Sequence, residues 1–326
     1  MTKVVQPHLR APMVARLSAL RTGVAPEVAA DESADAIAVA TAIDDLYVRS
    51  FTLAKVSAGL AVADAPAALR AARAAWRAAK AIPDMHSKTI ALAEAGGALS
   101  AVDRTRADRA LAEAESLADA ACSCRRRCLL AAVLERVASQ NPEDALAKAD
   151  LIPDPQLRGR VLARAIPRLA AVDPRRAVAL MEHVPDLHEQ IEGWVSLCDV
   201  FSGTDSELAV FAAECAEADA GFSYNKLVRL ATLARVARSV HRADPVRARV
   251  ILTAAETAFA DVEHSHQRSV AAAELARAQA VSDLDAGLRT ARQIVHVDVH
   301  ADALLRLAED LKSPTGRLRP PPRPTA

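Results

Sequence analysis

The chain has 326 residues, 52% of them hydrophobic but only 3% aromatic, with 41 basic and 41 acidic side chains in balance. That balance argues against the basic surface of a general nucleic-acid or anionic-membrane binder, and ten glycines are too few for a turn-rich β fold. Ala, Leu, Val and Ile carry the apolar load, and Ala and Leu head the helix-propensity scale, so an all-α chain is expected.

Residues 1–30 read as an N-terminal capping segment with one helix around Pro12 to Leu20. Arg10, Arg16 and Arg21 interrupt any apolar core of a signal peptide there. No stretch approaches the ~20 apolar residues of a membrane span. Five cysteines, an odd count without framework spacing, fit a reducing compartment, and a cytoplasmic protein is expected.

From residue 31 to 312 one phrase recurs. Asn141-Pro142, Asp173-Pro174 and Asp244-Pro245 each open a helical segment, with weaker copies at Asp31, Asp64, Asp103, Asp205 and Asp283. Asp or Asn caps the orphan N–H groups of a helix, and Pro at the first helical position loses no bond. Asn141 to Asp173 spans 32 residues and Asp205 to Asp244 spans 39. The difference of seven is about two turns of helix, so one helix of the unit comes in two lengths.

A second phrase follows, as in Ile43-Asp44-Asp45, Ile82-Pro83-Asp84, Ile152-Pro153-Asp154 and Val184-Pro185-Asp186. Pro stops the first helix and Asp caps the second. The second helix carries an amphipathic stripe such as Val161, Leu162, Ala165, Ile166 and Leu169. Each unit is therefore a helical hairpin that buries its apolar faces only by stacking. The expected fold is a right-handed α-solenoid of about eight stacked helical hairpins. In length and two-helix layout these units resemble the TPR-like α-solenoid group, without a strict TPR, HEAT or ankyrin signature. The resemblance implies an extended binding surface and transfers no particular functional residue. Ser313 to Ala326, with five prolines and three arginines, reads as a disordered basic tail.

Aligned units place Tyr47, His86, Cys124, Gln156, His188, His266 and His300 at one position in the first turn of the second helix. A stack lines such positions up along one edge. The column reads either as packing between hairpins or as a ladder presented to a ligand. Two positions further on stand Arg49, Lys88, Arg126, Arg158 and Arg268. These read as helix caps and partners of neighbouring acids, or as a grip for an acidic peptide or phosphates. Tyr47, His86, Cys124, His188, His266, His300, Arg158 and Arg268 are the candidate binding residues.

No phosphate loop, dinucleotide fingerprint or nucleophile elbow occurs, and His188-Glu189-Gln190-Ile191-Glu192 lacks the second His of a zinc-protease helix. His264 and His266 with His296 and His300 lie in adjacent units, but no metal and no cofactor is expected. Cys122, Cys124 and Cys128 read as small packing residues. The expected function is a non-catalytic scaffold for a protein or peptide. The alternative is an enzyme or substrate-binding protein of a bacterial biosynthetic pathway, its small-molecule pocket lined by the His/Tyr/Cys column. Neither membrane nor nucleic acid is an expected partner.

Overall fold

The computed structural model describes residues 6–312, except Ser139, Tyr224 and the side chains of Ser123 and Cys124. The Pro/Arg-rich stretch 313–326 lies outside the described residues. The described residues form seventeen helices and no strand. In chain order these begin with α1 (Pro7–Arg21), α2 (Pro26–Thr41), α3 (Leu46–Leu60), α4 (Ala65–Lys80), α5 (Met85–Ser100) and α6 (Arg104–Ala120). Next come α7 (Ser123–Ala138), α8 (Pro142–Ala149), α9 (Pro155–Ala170), α10 (Pro174–Met181), α11 (Leu187–Phe201) and α12 (Ser206–Phe222). The last are α13 (Lys226–Val240), α14 (Pro245–Ala260), α15 (Ser265–Ala280), α16 (Leu284–Ala291) and α17 (Val297–Lys312). None of them is long and apolar enough to cross a membrane.

The described residues form a helical solenoid of eight hairpins followed by α17. The closest packing lies between each of α1, α3, α5, α11, α13 and α15 and the helix that follows it. Each such hairpin thus begins one helix earlier than the Asp-Pro phrases mark. The Asp and Asn of the phrases are helix caps as the sequence implied. Asp64 accepts from Ala67 N at 2.9 Å, and Asp244 accepts from Val246 N and Arg247 N at 3.0 and 2.9 Å. Asp31 is the exception. It lies inside α2, which starts at Pro26 with Ala25 at its N-cap and no side-chain cap bond.

The helix that varies in length is the even-numbered one. α4, α6, α12 and α14 have 16 or 17 residues, whereas α8, α10 and α16 have 8. The difference is about two turns.

The odd-numbered helices form a continuous row in which each touches the next, and α17 returns onto α1. The row therefore closes on itself, with the even-numbered helices around it. A closed inner row brings its helices together and spreads the outer ones apart. α2 packs on α4, but the later outer helices are joined by long ion pairs. Lys148 on α8 reaches Glu115 on α6 at 2.9 Å, and Arg247 on α14 reaches Glu217 on α12 at 3.0 Å. The inner row carries its own ladder, with Arg136 on Glu94, Arg160 on Glu135 at 2.8 Å and Arg235 on Glu192 at 2.5 Å.

Small side chains permit this packing. α4 buries Ala67, Ala68, Ala71, Ala72, Ala75, Ala78 and Ala79 against its neighbours. One apolar core runs from Ala79 to Ala278, with Phe201, Leu134, Ile152, Ile166 and Leu197 fully enclosed.

Candidate functional site

The column of candidate residues lies in the first turns of odd-numbered helices and forms a row rather than a cluster. Tyr47 is half-buried against the core and stacks on Phe51 at 6.3 Å between centroids. His86 is half-buried, and its Nδ1 atom is enclosed without a hydrogen-bond partner among the described residues. Gln156, His188 and His266 are exposed, and His300 is half-buried. The Cys124 side chain is outside the described residues. The His266 ring meets His296 edge-on at 5.0 Å. Among the described residues no group of three His, Cys, Asp or Glu side chains is placed to hold a metal ion.

The neighbouring basic positions fold back on the turns that precede them. Arg49 donates to the carbonyl of Ile43 at 2.5 Å, and Arg268 donates to that of Val262 at 2.9 Å while lying 4.4 Å over the Phe259 ring. Arg126 pairs with Asp119 at 2.9 Å. These bonds satisfy the carbonyls and acids near the end of the preceding helix, where cations are favoured. Arg158 is different. Its side chain is half-buried and, like that of Lys88 in the same column, has neither hydrogen-bond nor ion-pair partner among the described residues.

Arg158 instead lines a groove of about 630 Å³, framed by Glu143, Leu146, Ala147, Asp150, Leu162, Arg176, Leu180 and His183. The groove exists because α8 and α10 are consecutive short helices. Together they leave the outer face of α9 partly uncovered.

Helical spacing arranges its walls. Glu143, Leu146, Ala147 and Asp150 share one face of α8 at i, i+3, i+4 and i+7. Arg176, Leu180 and His183 run along α10 and just past its end, and Arg158 and Leu162 rise from α9. The α8 wall is acidic at both ends and the α10 wall basic at both ends, with leucine between. At the N-terminal ends of α8 and α10 the walls are tied by a forked ion pair, Arg176 to Glu143 at 2.7 and 3.0 Å. Asp150, Arg158 and His183 line the groove toward the C-terminal ends of α8 and α10.

The volume falls within the range of ligand pockets, while five of the nine lining residues are charged or histidine. A second, much smaller cavity of about 30 Å³ lies among α13, α14 and α15, beside His241. Burial, and then the nearby Arg249, hold the His241 imidazolium below its usual pKa.

Of the candidate residues, only Arg158 belongs to the groove. Leu146, Leu180, Asp150 and His183 have no motif of their own. The signal for them is the pair of adjacent 32-residue units, whose short first helices leave room for a cavity.

No family model and no curated protein matches the chain. The solved structure of Ton1535 from Thermococcus onnurineus NA1 is similar over 94% of this chain and 92% of that one, with 12% identity and a TM-score of 0.43.

Proposed function

We propose that the chain is a non-catalytic binding scaffold that seats a segment of another polypeptide in the groove between α8 and α10. The observation that carries this reading is the groove itself, a leucine floor with a charged rim on an otherwise ion-paired outer row. The TPR-like solenoids that the repeats resemble present surfaces of this kind. Apolar floors supply affinity and rim charges set orientation. The column of His, Tyr and Cys gives the enzymatic alternative no comparable support, because its members lie on successive helices. A cytoplasmic setting suits the thiols of Cys128, Cys198 and Cys215.

The test is a random peptide library panned against the wild-type protein and against Ala147→Arg. Ala147 is exposed on the groove wall, so the arginine fills the groove without entering the core. Peptides enriched on the wild type should lose at least tenfold in affinity for the variant while circular dichroism stays unchanged. Equal binding to both proteins would place recognition elsewhere.

A further inference from the structure

We propose that the segment from Ser313 to Ala326 turns back over the outer face of α17 and takes the place that an even-numbered helix takes on the other inner helices. This inference is independent of the groove between α8 and α10.

The inner helices share a register. The twelfth residue of each of the first three faces the helix that follows it. Ser18 and Ser57 donate to the carbonyls of Ala29 on α2 and Ala68 on α4 at 2.7 and 2.9 Å, and a Cβ on Gly96 would lie 2.9 Å from Leu111 on α6. The eighth and fifteenth residues stand on the same face. They are Leu53 and Leu60 on α3, Leu92 and Leu99 on α5, Leu162 and Leu169 on α9, and Leu233 and Val240 on α13, all buried. α17 carries Leu304, Ala308 and Leu311 at these positions, yet no described helix follows it, and Leu304 and Leu311 are each 38% exposed. The stripe that is covered in the other hairpins is left open here by the described residues.

Charge selects the occupant. The second residue of α8, Glu143, bonds Arg176 on the next outer helix. The second residue of α16 is Asp285, which is exposed and has no partner among the described residues. The third, seventh and tenth residues of even-numbered helices meet the outer helix before them, as Arg176, Arg247, Lys148 and Glu113 do. On α2 these are Val28, Glu32 and Asp35, with the exposed and unpaired Asp31 beside them. Arg21 and Arg10 of α1 offset Glu32 and Asp35, so this edge keeps a net negative charge. An occupant of the slot between α16 and α2 therefore meets acids on both sides. The segment after Lys312 has Arg317, Arg319 and Arg323 and no acid, which complements both edges. Its five prolines bar the helix found at this place in the other hairpins. In extended form its fourteen residues reach about 43 Å, against about 24 Å for the sixteen residues of α17. Leu318 and the proline rings supply apolar contact for Leu304 and Leu311.

The experiment is hydroxyl-radical footprinting of the full chain, read by mass spectrometry at Leu304 and Leu311, with the exposed turn residue Val172 as reference. It compares the wild type with a variant carrying Arg317→Glu, Arg319→Glu and Arg323→Glu together. The expected result is a rise of roughly threefold in oxidation of both leucines in the variant, no change at Val172, and return to the wild-type rate when Asp31→Arg and Asp285→Arg are added. Equal oxidation of the leucines in wild type and variant would overturn the proposal. Protection that grows with protein concentration and accompanies a dimer in sedimentation would give the face to a second copy and overturn it as well.

Discussion

Cys198 on α11 shows how burial at one residue becomes a pH dependence of the whole fold. Its side chain is fully enclosed, and burial, with Asp199 adding to it, pushes the thiol pKa up to about 12. An unfolded cysteine ionises near ~8.5. Between those values the unfolded chain releases a proton that the folded chain keeps. The stabilisation from holding Cys198 neutral is therefore complete below the unfolded pKa and is lost as pH rises toward the folded one. From pH 8.5 to 10 this amounts to about 2 kcal/mol. Urea unfolding of wild type and Cys198→Ala should converge with rising pH, because only the wild type carries this loss. Curves that stay parallel from pH 8 to 10 would show that the thiol ionises equally in both states. Arg158 illustrates the other residue-scale lesson. The same side chain at the same repeat position caps a turn in one unit and faces a groove in another, according to the length of the helix before it.

At the scale of elements, close approach rests on residues that add no bulk. A Cβ on Gly287 of α16 would lie 2.5 Å from the carbonyl oxygen of Ala276 and 2.8 Å from Ala280 Cβ, both on α15. Gly203 has nothing within 4 Å of such an atom. Gly287→Ala should therefore destabilise by about 1–3 kcal/mol, as overpacking does. Gly203→Ala should change stability by less than about 0.5 kcal/mol, as at an open surface site. Equal melting temperatures for the two variants would mean that α16 does not pack as tightly as its backbone contacts require. Helix boundaries of this kind were largely legible, because Asp-Pro and Asn-Pro state a cap and a first turn in two residues. The first hairpin was not, since α2 starts at Pro26 without a capping side chain and Asp31 resembles a start while lying inside the helix. The two length classes of the even-numbered helices were visible as spacings of 32 and 39 residues. Their consequence was not, because a groove arises from where two short helices fall side by side. The His/Tyr/Cys column was legible as a pattern, yet its members stand on successive helices and a shared register position does not bring side chains together.

For the whole molecule, the distinctive feature is that the inner row closes, and no local pattern announces it because it depends on the rotation accumulated over every repeat. The joint between α1 and α17 differs from the others in what holds it. Its apolar contribution is small, with Met13 and Leu305 flanked by Leu17, Leu20 and Ala301. Charge supplies the remainder. Arg16 of α1 reaches Asp302 at 2.5 Å and both oxygens of Glu309 at 2.6 and 2.7 Å, while Lys312 donates to the carbonyls of Ala19 and Leu20 at 2.7 and 3.2 Å. The Glu309 carboxylate raises the Arg16 pKa further, against a smaller opposing effect of burial. Asp310 extends the network inward to Arg277 at 2.9 Å and Arg238 at 3.4 Å, so α13, α15 and α17 share one acid. Part-exposed charge-assisted bonds of this kind contribute about 1 kcal/mol each, and a joint with little apolar area has little else to resist opening. Arg16→Ala should free the closure without unfolding the repeats. Amide exchange should rise selectively in α1 and α17, protection of α9 should persist, and the radius of gyration should increase as the ring opens. Arg10→Ala, which removes only the exposed pair with Asp35 inside the first hairpin, should leave that pattern unchanged. If Arg16→Ala kept wild-type protection in both terminal helices, the apolar contact and the Lys312 bonds would suffice to close the ring, and Arg16 would not hold the joint.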